Sequence, residues 1–318
     1  MAFDGAPPAI WTTKPEEVDF PALLEMIVAA LNASKRRCWI LVDRLDAAFI
    51  DNPPLERKAL RCLLIAYKDF MGHKPLRLKL FFRTDLYDTV VHDQGFRELT
   101  HVADRASPPI IWEPDKLLQM IMQRFAVNDP VCERYGFDRA TIDDPDVRQA
   151  AFFSVFPGQI DVGQKKGDSW TWICNRIRDG NGVRTPRDLH GLVSKAAQKE
   201  REQLVLGNGN DAPELISAGA VKAGLSDLSG DKINTSLVAE NPSLGPSIKF
   251  FTKQKAEQNS HTLEKLLGKD WANIVDQCVR IGFLEKLSDS WKVPMLYRDG
   301  LDIVQGAAFQ KAKALDDE

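Results

Sequence analysis

No stretch of this chain holds the roughly 18 consecutive apolar residues that a membrane-spanning helix needs, so none is expected. Its five cysteines, Cys38, Cys62, Cys132, Cys174 and Cys278, are odd in number and far apart, and no Cys-x-x-Cys pair occurs. A disulfide framework is therefore not expected, and the thiols read as the reduced side chains of a cytosolic protein. The five histidines, His73, His92, His101, His190 and His261, stand singly without ligand spacing, which argues against a zinc site. Positive charge is not in excess either. A net charge of -3 argues against a globally basic nucleic-acid binder and leaves a local basic face open. The first residues, Met1-Ala2-Phe3-Asp4-Gly5-Ala6-Pro7-Pro8, carry neither a basic region nor an apolar signal core, so the expectation is a soluble, cytoplasmic chain. Internal repeats and low-complexity tracts are lacking too.

With 318 residues and 44% hydrophobic content, there is material for two or three domains. The first third alternates helix and strand. Phe20, Leu23, Leu24, Ile27, Val28 and Leu31 recur at helical spacing behind Asp19, a cap, with Pro21 in the first turn. Next, Trp39-Ile40-Leu41-Val42 runs straight into Asp43-Arg44-Leu45-Asp46. An unbroken apolar run predicts a strand buried on both faces, as in a parallel sheet under helices. It also places two carboxylates at the strand's carboxyl end, where open α/β sheets bind ligands. A helical stripe from Leu55 to Met71 and a second apolar run, Leu78-Lys79-Leu80-Phe81-Phe82, follow, the latter ending in Arg83-Thr84-Asp85. Strand, helix, strand at this spacing predicts a βαβ unit with parallel strands. A third strand is expected at 108–112.

The middle of the chain reads as helical. Leu117, Leu118, Ile121, Met122 and Phe125 form one face behind Pro114-Asp115. The segment from Gly158 through Gly163-Gln164-Lys165 imitates a phosphate loop, but its lysine is one place late and no Ser/Thr follows. Thr185-Pro186-Arg187-Asp188 is a clean helix start, a cap, a first-turn proline and a capping-box partner. A Gly-, Asn- and Ala-rich stretch then predicts a linker. Beyond it, helices around Leu263–Leu267 and Trp271–Val279 and a hairpin about Ser288-Asp289-Ser290 give the order of a winged helix. From 247 to 298 there are nine Lys/Arg against six Asp/Glu, a slight surplus beside the dense stripe of a duplex-binding helix.

The order of an apolar strand with Asp43 and Asp46, a strand ending in Arg83-Thr84-Asp85, a Trp112 segment leading to a helix with Arg124, the Pro186-Arg187-Asp188-Leu189 helix and a winged-helix tail resembles bacterial P-loop ATPases of the AAA-like and STAND-like class. This group occurs in large uncharacterised or defence-associated proteins. The resemblance spans about residues 20–305 and implies an α/β fold: a partial parallel P-loop NTPase sheet with helices in 1–114, a helical lid in 115–203, a linker in 204–226 and a winged helix in 227–318. By the same resemblance Asp43 holds Mg²⁺ through water, Asp46 polarises the attacking water, Arg83 senses the γ-phosphate and Arg187 is a second sensor. The chain departs from the family in having no Gly-x-x-x-x-Gly-Lys-Ser/Thr loop. ATP and Mg²⁺ would then bind only with a phosphate loop supplied from outside, by a missing N-terminal NTPase segment or a partner subunit. The implied function is an ATP-linked switch in a larger protein or assembly, inactive as a hydrolase alone, with self-association, no membrane contact and DNA as a further partner through the winged helix. Other readings stay open. A carboxylate after a strand also caps helices, Arg83 can pair with Asp43 or Asp85, Arg187 can be an ordinary exposed base, and the whole can be a non-enzymatic winged-helix DNA-binding or regulatory scaffold.

Overall fold

Aspartate and asparagine side chains start the first two helices. The Asp19 carboxylate accepts the Ala22 amide at 3.2 Å and the Asn52 side chain accepts that of Leu55 at 3.2 Å, each beside a first-turn proline. These caps open α1 (Phe20–Ala33) and α2 (Pro53–Phe70). The computed structural model describes residues 19–43, 45, 52–84, 86, 87, 90, 108–208 and 213–310, and its contacts divide the chain into two units, Met1–Pro109 and Ile110–Glu318.

In the first unit β1 (Cys38–Val42) and β2 (Leu76–Leu80) pair in parallel, Cys38 opposite Leu76 and Val42 opposite Leu80. With α2 between them this is the βαβ unit that the spacing predicts. Leu60 and Leu64 of α2 close a small core with Val90, packed by Leu45, Tyr67, Leu80 and Phe82. β2 alternates, with Leu76 and Leu78 buried and Arg77 and Lys79 exposed. Two expectations need correction. β1 is not covered on both faces, since Trp39 is 63% and Leu41 61% exposed. Among the described residues this sheet has two strands, so β1 has a paired neighbour on one edge only. The third strand expected at 108–112 is absent, and Ile110 and Ile111, 76% and 70% exposed, lie in irregular backbone. α1 is apolar nearly all round, yet only Leu24 of it is buried.

The second unit opens with α3 (Pro114–Phe125), α4 (Asp129–Tyr135), α5 (Pro145–Val155) and α6 (Ser169–Arg176). The predicted stripe of α3 is buried at Leu117, Leu118, Ile121 and Met122. Then α7 (Pro186–Val205) packs on α8 (Ala218–Asp231), which runs on through a π-helical turn, Lys232–Leu237. Residues 218–226, expected in a linker, are instead the start of α8, with Ala220, Val221 and Leu225 in the core. A carboxylate on α7 makes this possible. Glu200 accepts both the Ser217 amide at 2.8 Å and its hydroxyl at 2.6 Å, fixing the capping residue of α8.

The chain then forms α9 (Gly245–Lys249), β3 (Lys255–Gln258), α10 (Ser260–Leu267), α11 (Trp271–Arg280), β4 (Glu285–Lys286), β5 (Trp291–Lys292), α12 (Met295–Arg298) and β6 (Val304–Ala307). The four strands lie in the order β4-β5-β3-β6, with β5 antiparallel to β3 and β4 and β6 parallel to β3. The hairpin closes as expected, the Leu287 amide donating to the Ser290 carbonyl at 2.8 Å. β3 had no apolar signature. Its Glu257 and Gln258 are buried, one accepting from the Ser290 hydroxyl at 2.9 Å, the other donating to the Lys255 carbonyl at 2.8 Å. One apolar core runs through all of this from Leu117 to Leu301. No helix among the described residues is long and apolar enough to cross a membrane.

α7 and α8 approach closely at Gly224, where a Cβ would lie 2.7 Å from the Ala196 amide nitrogen. Gly224→Ala is expected to lose about 1–3 kcal/mol of stability, because backbone rather than a side chain must yield. Gly230→Ala, on the same helix with open space around it, is expected to gain up to about 1 kcal/mol. Urea unfolding of the two variants measures both, and equal effects would show that the close approach carries no weight.

Candidate functional site

Parallel strands in register end on one edge. Asp43 follows Val42, and the Phe81 amide donates to the Val42 carbonyl at 2.9 Å, so the segment carrying Arg83 leaves β2 beside Asp43. Asp43 and Arg83 are both exposed, and the Arg83 carbonyl accepts the Tyr87 amide at 3.0 Å, starting a helical turn. The fold thus brings these two sequence-derived site residues to one edge. Asp46 lies outside the described residues. Arg187 belongs to the second unit, where it is exposed in the first turn of α7 behind Thr185 and Pro186.

Beneath Arg187 is a buried ion pair that sequence reading saw only in part. Asp188, 3% exposed, accepts the Lys232 ammonium at 2.8 and 3.1 Å and the Thr185 hydroxyl at 2.7 Å. The capping pattern pointed to Thr185 and Asp188. Nothing local points to Lys232, 44 residues on, at the start of the π-helical turn. Nearby, burial first and then the carboxylates of Asp179, Asp188 and Glu240 push the Tyr297 phenol above its ordinary range. Burial also raises Asp179.

A second polar cluster joins α6, α8 and the loop before α6. Asp161 accepts from Lys222 at 2.7 Å, from the Trp172 indole at 2.7 Å and from Arg176 at 3.2 Å, and the Arg176 guanidinium lies 3.8 Å over the Trp172 ring. The Lys222 bond first, then that from Trp172, hold the Asp161 carboxyl below its usual range.

The phosphate-loop imitation is filled by its own side chain. The Gln159 amide donates to the carbonyls of Gly163 at 3.3 Å and Lys166 at 2.8 Å, and its oxygen accepts the Gly163 amide at 3.4 Å. The Gly163 amide, a donor of the kind that an anion cradle uses, is thus turned to the loop's own glutamine. The cysteines are all unpaired thiols, and burial pushes Cys174 up to about 11 and Cys278 up to about 12, so both are protonated at neutral pH. Among the described residues no group of three or more His, Cys, Asp or Glu is placed to hold a metal ion. A carboxylate and a guanidinium at a sheet edge can together meet a hydrated cation and a phosphate oxygen, but they hold a nucleotide only with further donors. Comparison of the chain with protein-family models, curated proteins and solved structures found no match.

Removing Lys232 leaves the buried Asp188 carboxylate without its ionic partner. Lys232→Ala is expected to lose about 2–4 kcal/mol, while the paired change Asp188→Leu with Lys232→Met recovers most of it. Denaturant midpoints of the three chains measure this, and a near-neutral Lys232→Ala would count against the pair. Asp161 gives a pH dependence with a fixed sign. Its folded-state value lies below the unfolded one of about 3.9, so its contribution is present above about pH 4 and fades as the pH falls through the folded value. The stability gap between the wild-type chain and Asp161→Asn is therefore expected to shrink between about pH 6 and about pH 3, which thermal melts across that range would follow.

Proposed function

We propose that this chain is the distal part of a P-loop ATPase module of the AAA-like or STAND-like class, working in the bacterial cytoplasm as an ATP-linked switch within a larger protein or assembly. The observation that carries the reading is the parallel register of β1 and β2, which sets Asp43 and Arg83 at one carboxyl edge. In a switch of this kind Asp43 would hold Mg²⁺ through water, Asp46 would orient the attacking water and Arg83 would answer to the γ-phosphate. The residues fit half of such a ligand. Asp43 suits a hydrated Mg²⁺, but these 318 residues encode no amide cradle with lysine for the β- and γ-phosphates. The chain by itself is accordingly inactive as a hydrolase and depends on a phosphate loop from a preceding segment or a partner subunit.

A second reading has an observation of its own. The order α10, α11, β4, β5, with β3 pairing β5, suits a winged helix, and hence a DNA-binding or regulatory scaffold. The exposed face of α11 carries Ala272, Asn273, Asp276 and Arg280, one acid against one base. A duplex-facing helix is normally basic, so this favours a role in assembly over DNA readout.

A fluorescent ATP analogue is expected to show no saturable binding to the chain alone. The product of the reading frame extended upstream is expected to bind it in the presence of Mg²⁺, with about tenfold or greater weakening by Asp43→Asn. An extended product that binds no nucleotide sinks the ATPase reading. Salt-sensitive duplex binding, lost on neutralising Lys265, Lys269 and Lys292, would instead establish the scaffold reading as a DNA-binding one.

A further inference from the structure

We infer that the loop of residues 178–185 is a clasp that makes α7, with Arg187 on it, and the C-terminal helix–hairpin unit move as one piece. The loop first closes on itself. The Asp179 carboxylate accepts the amides of Asn181 at 2.9 Å and Val183 at 2.8 Å, and the Asp179 amide donates to the Val183 carbonyl at 3.1 Å. From that fixed turn three contacts reach the corner where α11 passes into β4. The Gly180 amide donates to the Gly282 carbonyl at 2.7 Å. The Asn181 side-chain amide donates to the Arg280 carbonyl at 3.1 Å, one of the groups that the last turn of a helix leaves without an intrahelical donor. The Arg178 guanidinium meets the carboxylate of Glu285, the first residue of β4, at 2.9 Å.

The fit has no slack. A methyl group on Gly180 would lie 2.4 Å from the Leu284 carbonyl oxygen, and one on Gly282 would lie 2.8 Å from an Asp179 oxygen. At its other end the loop is equally held. The Arg184 Nε donates to the Cys174 carbonyl of α6 at 2.8 Å, and Thr185 caps α7 and bonds Asp188, which grips Lys232. The end of one helix is thus capped by a loop about 100 residues earlier in the chain, and the same loop begins another helix. Breaking these contacts together costs free energy at each of them, so a displacement of the α7 N-terminus favours a matching displacement of the α11–β4 corner. What drives that displacement rests on the proposed nucleotide reading. The coupling itself needs no nucleotide, and its test uses none.

Hydrogen–deuterium exchange of the full chain reads the coupling through two perturbations. Lys232→Ala loosens the α7 start. In the otherwise unmodified chain it is expected to speed exchange about tenfold both in 186–200 and in 282–293; in an Asn181→Ala background it is expected to speed 186–200 alone. Gly180→Ala repeats the experiment with a steric change in place of a lost donor, and Arg178→Ala replaces it where that variant does not fold. An effect on 282–293 that ignores residues 178, 180 and 181, or that never reaches 282–293 in the first place, overturns the clasp. Neither result touches the nucleotide reading, which stands or falls on ATP binding.

Discussion

The contact between α7 and α8 is the constraint on which the larger unit depends. It has an apolar half, where Gly224 sits on the Ala196 backbone with no room for a methyl group, and an ionic half, where Asp188 and Lys232 meet at 2.8 Å. Glu200 fixes the start of the same pair by holding Ser217. With these two helices set, the core closes around them. α3 packs on α7 and α12 on α8, and residues from Leu117 to Leu301 share one apolar interior. Arg187 stands in the first turn of α7, next in sequence to the Asp188 that pairs with Lys232.

The first unit has the opposite character. Its α2 and β2 bury a modest core, while β1 and α1 leave Trp39, Leu41, Met26 and Phe20 exposed. A strand as apolar as β1 normally sits under layers on both sides. Among the described residues its sheet has two strands, with Asp43 and the segment carrying Arg83 at their carboxyl ends. The proposed reading asks for a phosphate loop from elsewhere because the sequence contains no such motif.

Local signals were legible. The caps at Asp19 and Thr185, the first-turn Asp188, the stripe of α3 and the hairpin about Ser288–Ser290 all follow from residues within one or two turns of each other. β3 escaped because its buried positions are Ala256, Glu257 and Gln258, two of them polar and satisfied by partners distant in sequence or by their own backbone. The start of α8 was hidden by its glycines and alanines, which read as linker but serve close helix packing. Of the candidate site, the Asp43 and Arg83 edge could be read because strand register follows from a βαβ spacing. Lys232, Lys222 and Arg176 could not, since ion pairs join residues by position in space and not along the chain.

By itself the sequence determined what short-range stereochemistry controls: where the capped helices such as α1 and α7 start, that β1 and β2 run parallel, and that no phosphate-loop motif is encoded. The tertiary structure decided which apolar faces are covered, that residues 218–226 of the expected linker start α8, and that the helical and helix–hairpin parts share one interior. The physical reason is the range of the forces. Capping and turn chemistry act over three or four residues, whereas burial and ion pairing depend on which distant elements meet, as Asp188 meets Lys232 and Asn181 meets Arg280.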